Sequence, residues 1–153
     1  MRLRLAVTAL VVAAVAAVAA DVIAGHVGGS EQLEVRDLTG AIGPLGEFGR
    51  PATHVFRQER YYSGYVRERG GTVAPVAFPE QMVVLFAVGP RSTPAYRLEV
   101  VGAAVRGGRV VVSVRETTPS AADTTPPGLT FPYWAISIPW SSKTVIIDWM
   151  GRP

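Results

Sequence analysis

Residues 82–116, MVVLFAVGPRSTPAYRLEVVGAAVRGGRVVVSVRE, hold the information that decides the fold. Met82–Val88 is a continuous apolar run, too short for a typical helix and rich in Val and Phe. That is the pattern of a strand covered on both faces. Tyr96, Leu98 and Val100 then alternate with Arg97 and Glu99. Val110, Val112 and Val114 form a second alternating row beyond Gly107-Gly108. A two-residue Gly107-Gly108 loop would set Val100 against Arg115 and mix dry and wet faces. A three-residue loop, Arg106–Gly108, sets Val100 opposite Val114 and Glu99 opposite Arg115, an attractive cross-strand pair. The three-residue register is therefore expected, with Gly108 in a left-handed bulge position.

Working outward, GPRST and Pro94 make a tight connection before this hairpin, and Thr117–Pro132 is a long Pro/Thr-rich connection after it. Trp134, Ile136 and Ile138 give a further alternating strand. Thr144–Trp149 gives the last. Upstream, Ala52–Gln58 reads as a first strand. ERYYSGYVRERGG (Glu59–Gly71) reads as an amphipathic strand with a solvated arginine face, and Pro75 and Pro79 exclude residues 75–79 from a central ladder. Residues 21–51 read as a Gly-rich spacer with one short strand, Gln32–Val35. Without a convincing helical period after Asp21, the expected fold is all-β or mainly β. It is a small antiparallel sandwich or partly open barrel over residues 52–153, with its core at 82–140.

The N-terminus sets the compartment. Arg2 and Arg4 precede the uncharged apolar run Leu5–Ala20, and small residues lead to Asp21, the pattern of a secretory signal cleaved near Ala19 or Ala20. The rival is an uncleaved anchor, disfavoured by Asp21 and by the shortness of the run. Export to the periplasm, cell envelope or medium is expected, with membrane contact only if this segment is retained. Without Arg2 and Arg4, the 15 basic residues become 13 against 12 acidic ones. Bulk charge then gives no support to nucleic-acid binding. Arginines interleaved with Tyr61, Tyr62 and Tyr65 could form a single-stranded platform, but Glu59 and Glu68 interrupt them. The chain has no cysteine, so disulfides, thiolate metal sites and a cysteine nucleophile are excluded.

The quoted stretch and its surroundings resemble the PrcB C-terminal domain family, known from a subunit of a bacterial surface protease complex. The residues that carry the resemblance are Met82-Val83-Val84, Gly89, Arg91, Thr93, Tyr96, Gly107-Gly108, Val110–Glu116, Pro119, Thr130, Pro132 and Tyr133. Tyr62-Ser63-Gly64-Tyr65 is similar to a Ser-Gly element upstream in such proteins. STPAY (Ser92–Tyr96) replaces the family's Gly-Gly before the tyrosine. The shortened segment before Met82 implies that a helix of the relatives is absent. The resemblance implies a secreted or envelope-associated β domain that binds or assists a protein partner.

Chemistry is sparse. His26 lies in the spacer and His54 on a strand, where a lone histidine is ordinarily structural. Ser63 lacks nucleophile-elbow spacing, and Ser141-Ser142-Lys143 is not S-x-x-K. The scattered acids and two histidines show no metal-ligand spacing. No catalytic residue, metal or cofactor is expected. Recognition is expected instead from Gly89–Pro94 and Thr117–Pro132, two connections at one end of the sheet. The candidate contact residues are Arg91, Ser92, Thr93, Tyr96, Thr130, Pro132 and Tyr133, with Tyr96 and Tyr133 at the base. Three functions compete: a non-catalytic protein-binding accessory domain, a protease inhibitor presenting residues 89–94, and an enzyme of envelope polymers.

Overall fold

The computed structural model describes residues 30–120 and 124–150. The signal or anchor segment and its cleavage site lie outside the described residues. The apolar run at the centre becomes β4 (Gln81–Val88), in which Met82–Val88 are all buried. It pairs antiparallel with β3 (Pro51–Phe56) on one side and β7 (Tyr133–Pro139) on the other. With β2 (Arg36–Asp37) beyond β7, the first sheet has the order β2-β7-β4-β3.

Strand alternation sends the two halves of β4 into different cores. Met82, Val84, Phe86 and Val88 meet Ile136 and Ile138 from β7 and a valine row from the other sheet. Val83, Leu85 and Ala87 meet Tyr62, Val66, Leu38, Ile42, Leu45 and Phe48. The molecule thus has three layers, sheet, sheet and a helical cover, and β4 is dry on both faces because it is the middle one. Each fully buried Val, Leu or Phe contributes roughly 1.5–3 kcal/mol of transfer free energy.

The second sheet is built on β5 (Arg97–Arg106) and β6 (Arg109–Thr117). Val100 faces Val114 and Glu99 faces Arg115, as expected from the alternation. The route to that register differs from the expectation. Arg106 faces Arg109 across a two-residue Gly107-Gly108 turn, and both glycines have positive φ, 53° and 74°. Positive φ at both positions is what a tight hairpin turn with the strands' own twist demands. The extra residue sits in a bulge at Val101, where the register shifts between Val100 and Gly102. The bulge restores the valine rows that a plain two-residue turn would have inverted. Val110, Val112 and Val114 are fully buried and Leu98 nearly so, whereas Tyr96 precedes the strand and stays half-exposed.

β1 (Glu31–Leu33) and β8 (Val145–Met150) complete this sheet in the order β1-β5-β6-β8. β8 runs parallel to β6, so the sandwich is not wholly antiparallel, and neither sheet closes into a barrel. The β7–β8 connection has to cross from one sheet to the other, and that crossing lets β8 enter in β6's direction.

Two further expectations are corrected. Residues 59–68 form a helix, α2 (Glu59–Glu68), not a strand. Tyr62 and Val66, four apart, are its buried stripe, and Tyr65 packs beside them. Residues 30–51, expected to be mostly spacer, supply β1, β2, the one-turn α1 (Thr39–Ile42) and the buried Leu38, Ile42, Leu45 and Phe48. Two of the arginines near α2 are fasteners. Arg57 donates to the carbonyls of Ser141 and Lys143, both at 2.8 Å. Arg69 lies over the Phe48 ring at 4.1 Å and donates to the carbonyls of Leu45 and Glu47. Arg60, by contrast, stacks on exposed Tyr61.

Candidate functional site

At the end of the sandwich opposite Gly107-Gly108, β4 ends, β5 begins, β6 ends and β7 begins. Their connections meet there. Arg91 and Thr130 form an isolated antiparallel bridge, with Arg91 N donating to Thr130 O at 2.8 Å and Thr130 N to Arg91 O at 2.9 Å. Gly128 N donates to Ser92 O at 3.0 Å, and Val88 N to Pro132 O at 3.2 Å. The Thr130 hydroxyl donates to Thr93 O, and the Thr93 hydroxyl accepts from Ala95 N, each at 3.3 Å. Two loops on either side of the β5–β6 hairpin are thus zipped into one surface.

The Arg91 side chain braces that surface from behind. Its Nε donates to Glu116 at 2.5 Å, and one terminal nitrogen donates to the carbonyls of Val88 and Pro90 at 3.0 Å each. The pair is largely shielded, with side-chain exposures of 19% for Arg91 and 8% for Glu116. The hydrogen bond to Glu116 raises the Arg91 guanidinium pKa above its ordinary range. The guanidinium also lies 5.6 Å from the centre of the Tyr96 ring and fixes its position.

In front of the brace lies a shallow open groove of about 300 Å³, lined by Pro94, Tyr96, Thr130, Phe131, Pro132 and Tyr133. Tyr133 enters it from β7, and its hydroxyl points into the fold toward the carbonyls of Gly43, just past α1, and of Thr39, the first residue of α1. Burial, then the nearby Asp37 and Tyr62, push its pKa up, so it remains a donor. Tyr133 therefore both closes the helical layer and gives one side of its ring to the groove.

All seven residues expected at the site fall in this region. Tyr96, Thr130, Pro132 and Tyr133 line the groove, and Arg91, Ser92 and Thr93 form its backbone and brace. Sequence reasoning passed over Phe131 and Pro94, which supply apolar wall, and Glu116, which anchors Arg91. An aromatic residue isolated in a Thr/Pro-rich loop is the signal that could have marked Phe131. His54 lies elsewhere, on the helix-facing side of β3, 4.6 Å from the Tyr65 ring. Burial and then the Arg69 charge lower its pKa, so it packs as a neutral ring. His26 lies outside the described residues. Among the described residues no group of three or more His, Asp or Glu is placed to hold a metal ion. None of their helices is long and apolar enough to cross a membrane.

The geometry defines a class: a two-sheet β domain with a helical cover and a rigid, aromatic- and proline-lined loop surface at one end. Residues 82–139, from the start of β4 to the end of β7, match the family described as PrcB C-terminal, as the resemblance implied. That span holds the central strands of the first sheet, the β5–β6 hairpin and the whole groove. No curated protein and no solved structure gives a match.

Proposed function

We propose that the chain is an exported, non-catalytic accessory domain that binds a protein partner through the groove between residues 90–96 and 128–133. The observation that carries this reading is the bracing of the groove. A largely shielded ion pair and a backbone bridge hold an apolar surface rigid, and a rigid surface loses little entropy on binding. Aromatic residues seated on such a base are the usual anchors of a protein interface. The PrcB C-terminal match supports an accessory role beside a protease, and the partner of first choice is a secreted or surface protease. Export rests on Arg2, Arg4 and the apolar run that follows them. Nucleic acid is not among the partners proposed, nor is a cofactor or metal.

The inhibitor reading is weaker, because the Arg91 backbone that a protease would need to pair with is already spent on Thr130. The enzyme reading has no constellation to rest on among the described residues.

The test is co-purification from the envelope with a Tyr96→Ala/Phe131→Ala chain. Loss of paired aromatic anchors is expected to weaken partner retention at least 30-fold, equivalent to about 2 kcal/mol or more, measured where the variant is still fully folded, because Phe131 also packs on the helical-layer core. Retention of the same partner at undiminished yield would contradict the proposal.

A further inference from the structure

The second sheet ends on β8, and among the described residues no strand pairs with its outer edge. Of the other edges, β1 has three residues and β2 has two, and β3 opens with Pro51. β8 has six residues with a side-chain row on each face. Val145, Ile147 and Trp149 point into the sandwich and pack on its core, Trp149 edge-on to Phe86 at 5.9 Å, yet none is fully buried. Val55 of β3, on the facing sheet, is likewise half-covered. The side chains along this seam are only partly covered.

The outward row carries Asp148 and Met150, which rim a depression of about 260 Å³ on the outer face. Its floor is small, Gly102, Ala104 and Ser113, because the Val101 bulge brings a glycine opposite Ser113. Asp148 lies beside Ser113 in the parallel register, and Arg106 is at the far end near the turn. A long basic side chain on a strand beside β8 could lay its stem on Met150 and its charge on Asp148.

We propose that the outer edge of β8 accepts an extended segment of a protein partner as an added strand, its inward residues apolar and one outward residue a Lys or Arg facing Asp148. Main-chain hydrogen bonds would supply the ladder, and alternate side chains the selectivity. Charge argues against a second copy as the occupant. A two-fold at Asp148 opposes two carboxylates directly, and one at Ile147 sets each Asp148 against Ile146. Residues 5–29 of the chain carry no Lys or Arg that could face Asp148. This surface is separate from the loop groove and does not depend on it.

The experiment titrates the full chain with the synthetic peptide acetyl-TVKVTVT-amide and its glutamate counterpart, acetyl-TVEVTVT-amide, following backbone amide resonances. The lysine peptide is expected to shift Val145–Met150 and to bind at least tenfold more tightly than the glutamate peptide. Asp148→Asn should erase that preference, Asp148→Lys should reverse it, and N-methylation of alternate peptide amides should abolish binding. Equal binding by both peptides, no binding, or shifts confined to Tyr96 and Phe131 would overturn the proposal. So would concentration-dependent shifts of β8 without peptide, which would make a second copy the occupant.

Discussion

Arg91 shows how one side chain can do what an alternating pattern does not reveal. As an arginine in a turn it suggests a contact residue, yet its guanidinium is turned inward onto Glu116 and two carbonyls. Arg91→Ala should destabilise the domain by about 1–3 kcal/mol, the range for a charged hydrogen-bonding group removed from a shielded site. Arg115→Ala removes a pair whose side chains are 50% and 63% exposed and should change stability by about 0–1 kcal/mol. Urea midpoints of the two variants check the contrast, and equal losses would contradict the assignment of inner and outer faces. His54 supplies a pH signature. Its pKa is lowered in the folded chain, so the unfolded chain binds more protons in the interval below the ordinary value of about 6.5. Stability should be complete above about pH 7 and decline as pH falls through that value. His54→Gln should flatten the decline between pH 7 and 5 in urea midpoints, and an unchanged slope would remove His54 as its source.

At the scale of elements, the β5–β6 hairpin divides what alternation reveals from what it hides. The pairing of Val100 with Val114 was legible because one residue of slip turns every side chain to the wrong face. The turn length was not, because a bulge anywhere along the strand can absorb one residue, and Val101 in an apolar run carries no mark. Gly107 and Gly108 both occupy the left-handed region, so Gly108→Ala should cost about 1–2 kcal/mol by thermal or urea denaturation. No loss would contradict the two-residue turn. Helix α2 was hidden for another reason. Tyr61, Tyr62, Tyr65 and Val66 are poor helix formers, and Ser63-Gly64 is poorer still, so local propensity points away from the helix. Its stability comes from Tyr62 and Val66 docking on Val83 and Leu85, a tertiary contact that local propensity does not show. Leu38, Ile42, Leu45 and Phe48 sit among glycines and were hidden likewise, because their burial follows a loop rather than a repeat.

For the whole molecule, the three-layer arrangement makes the N-terminal residues 30–50 part of the fold. A chain starting at Pro51 keeps α2 but strips Leu38, Ile42, Leu45 and Phe48 from the layer that covers Val83, Leu85, Ala87 and Ala135. It is expected to fail to fold or to aggregate, measured by its sedimentation and by loss of a cooperative urea transition. A monomeric, cooperative fragment would show that the cover is dispensable. The groove itself was legible as a place: the hairpin's direction puts two loops at one end. Its construction was not, because the Arg91–Glu116 pair and the Arg91–Thr130 bridge join residues 25 and 39 apart. The central claim is that this end of the sandwich is where a partner protein sits. Its most direct measurement is site-specific photo-crosslinking in intact cells from position Phe131, with position Gly107 at the opposite end as control. The account predicts one discrete crosslinked protein from Phe131 and none from Gly107. The same product from both positions, or from Gly107 alone, would contradict it.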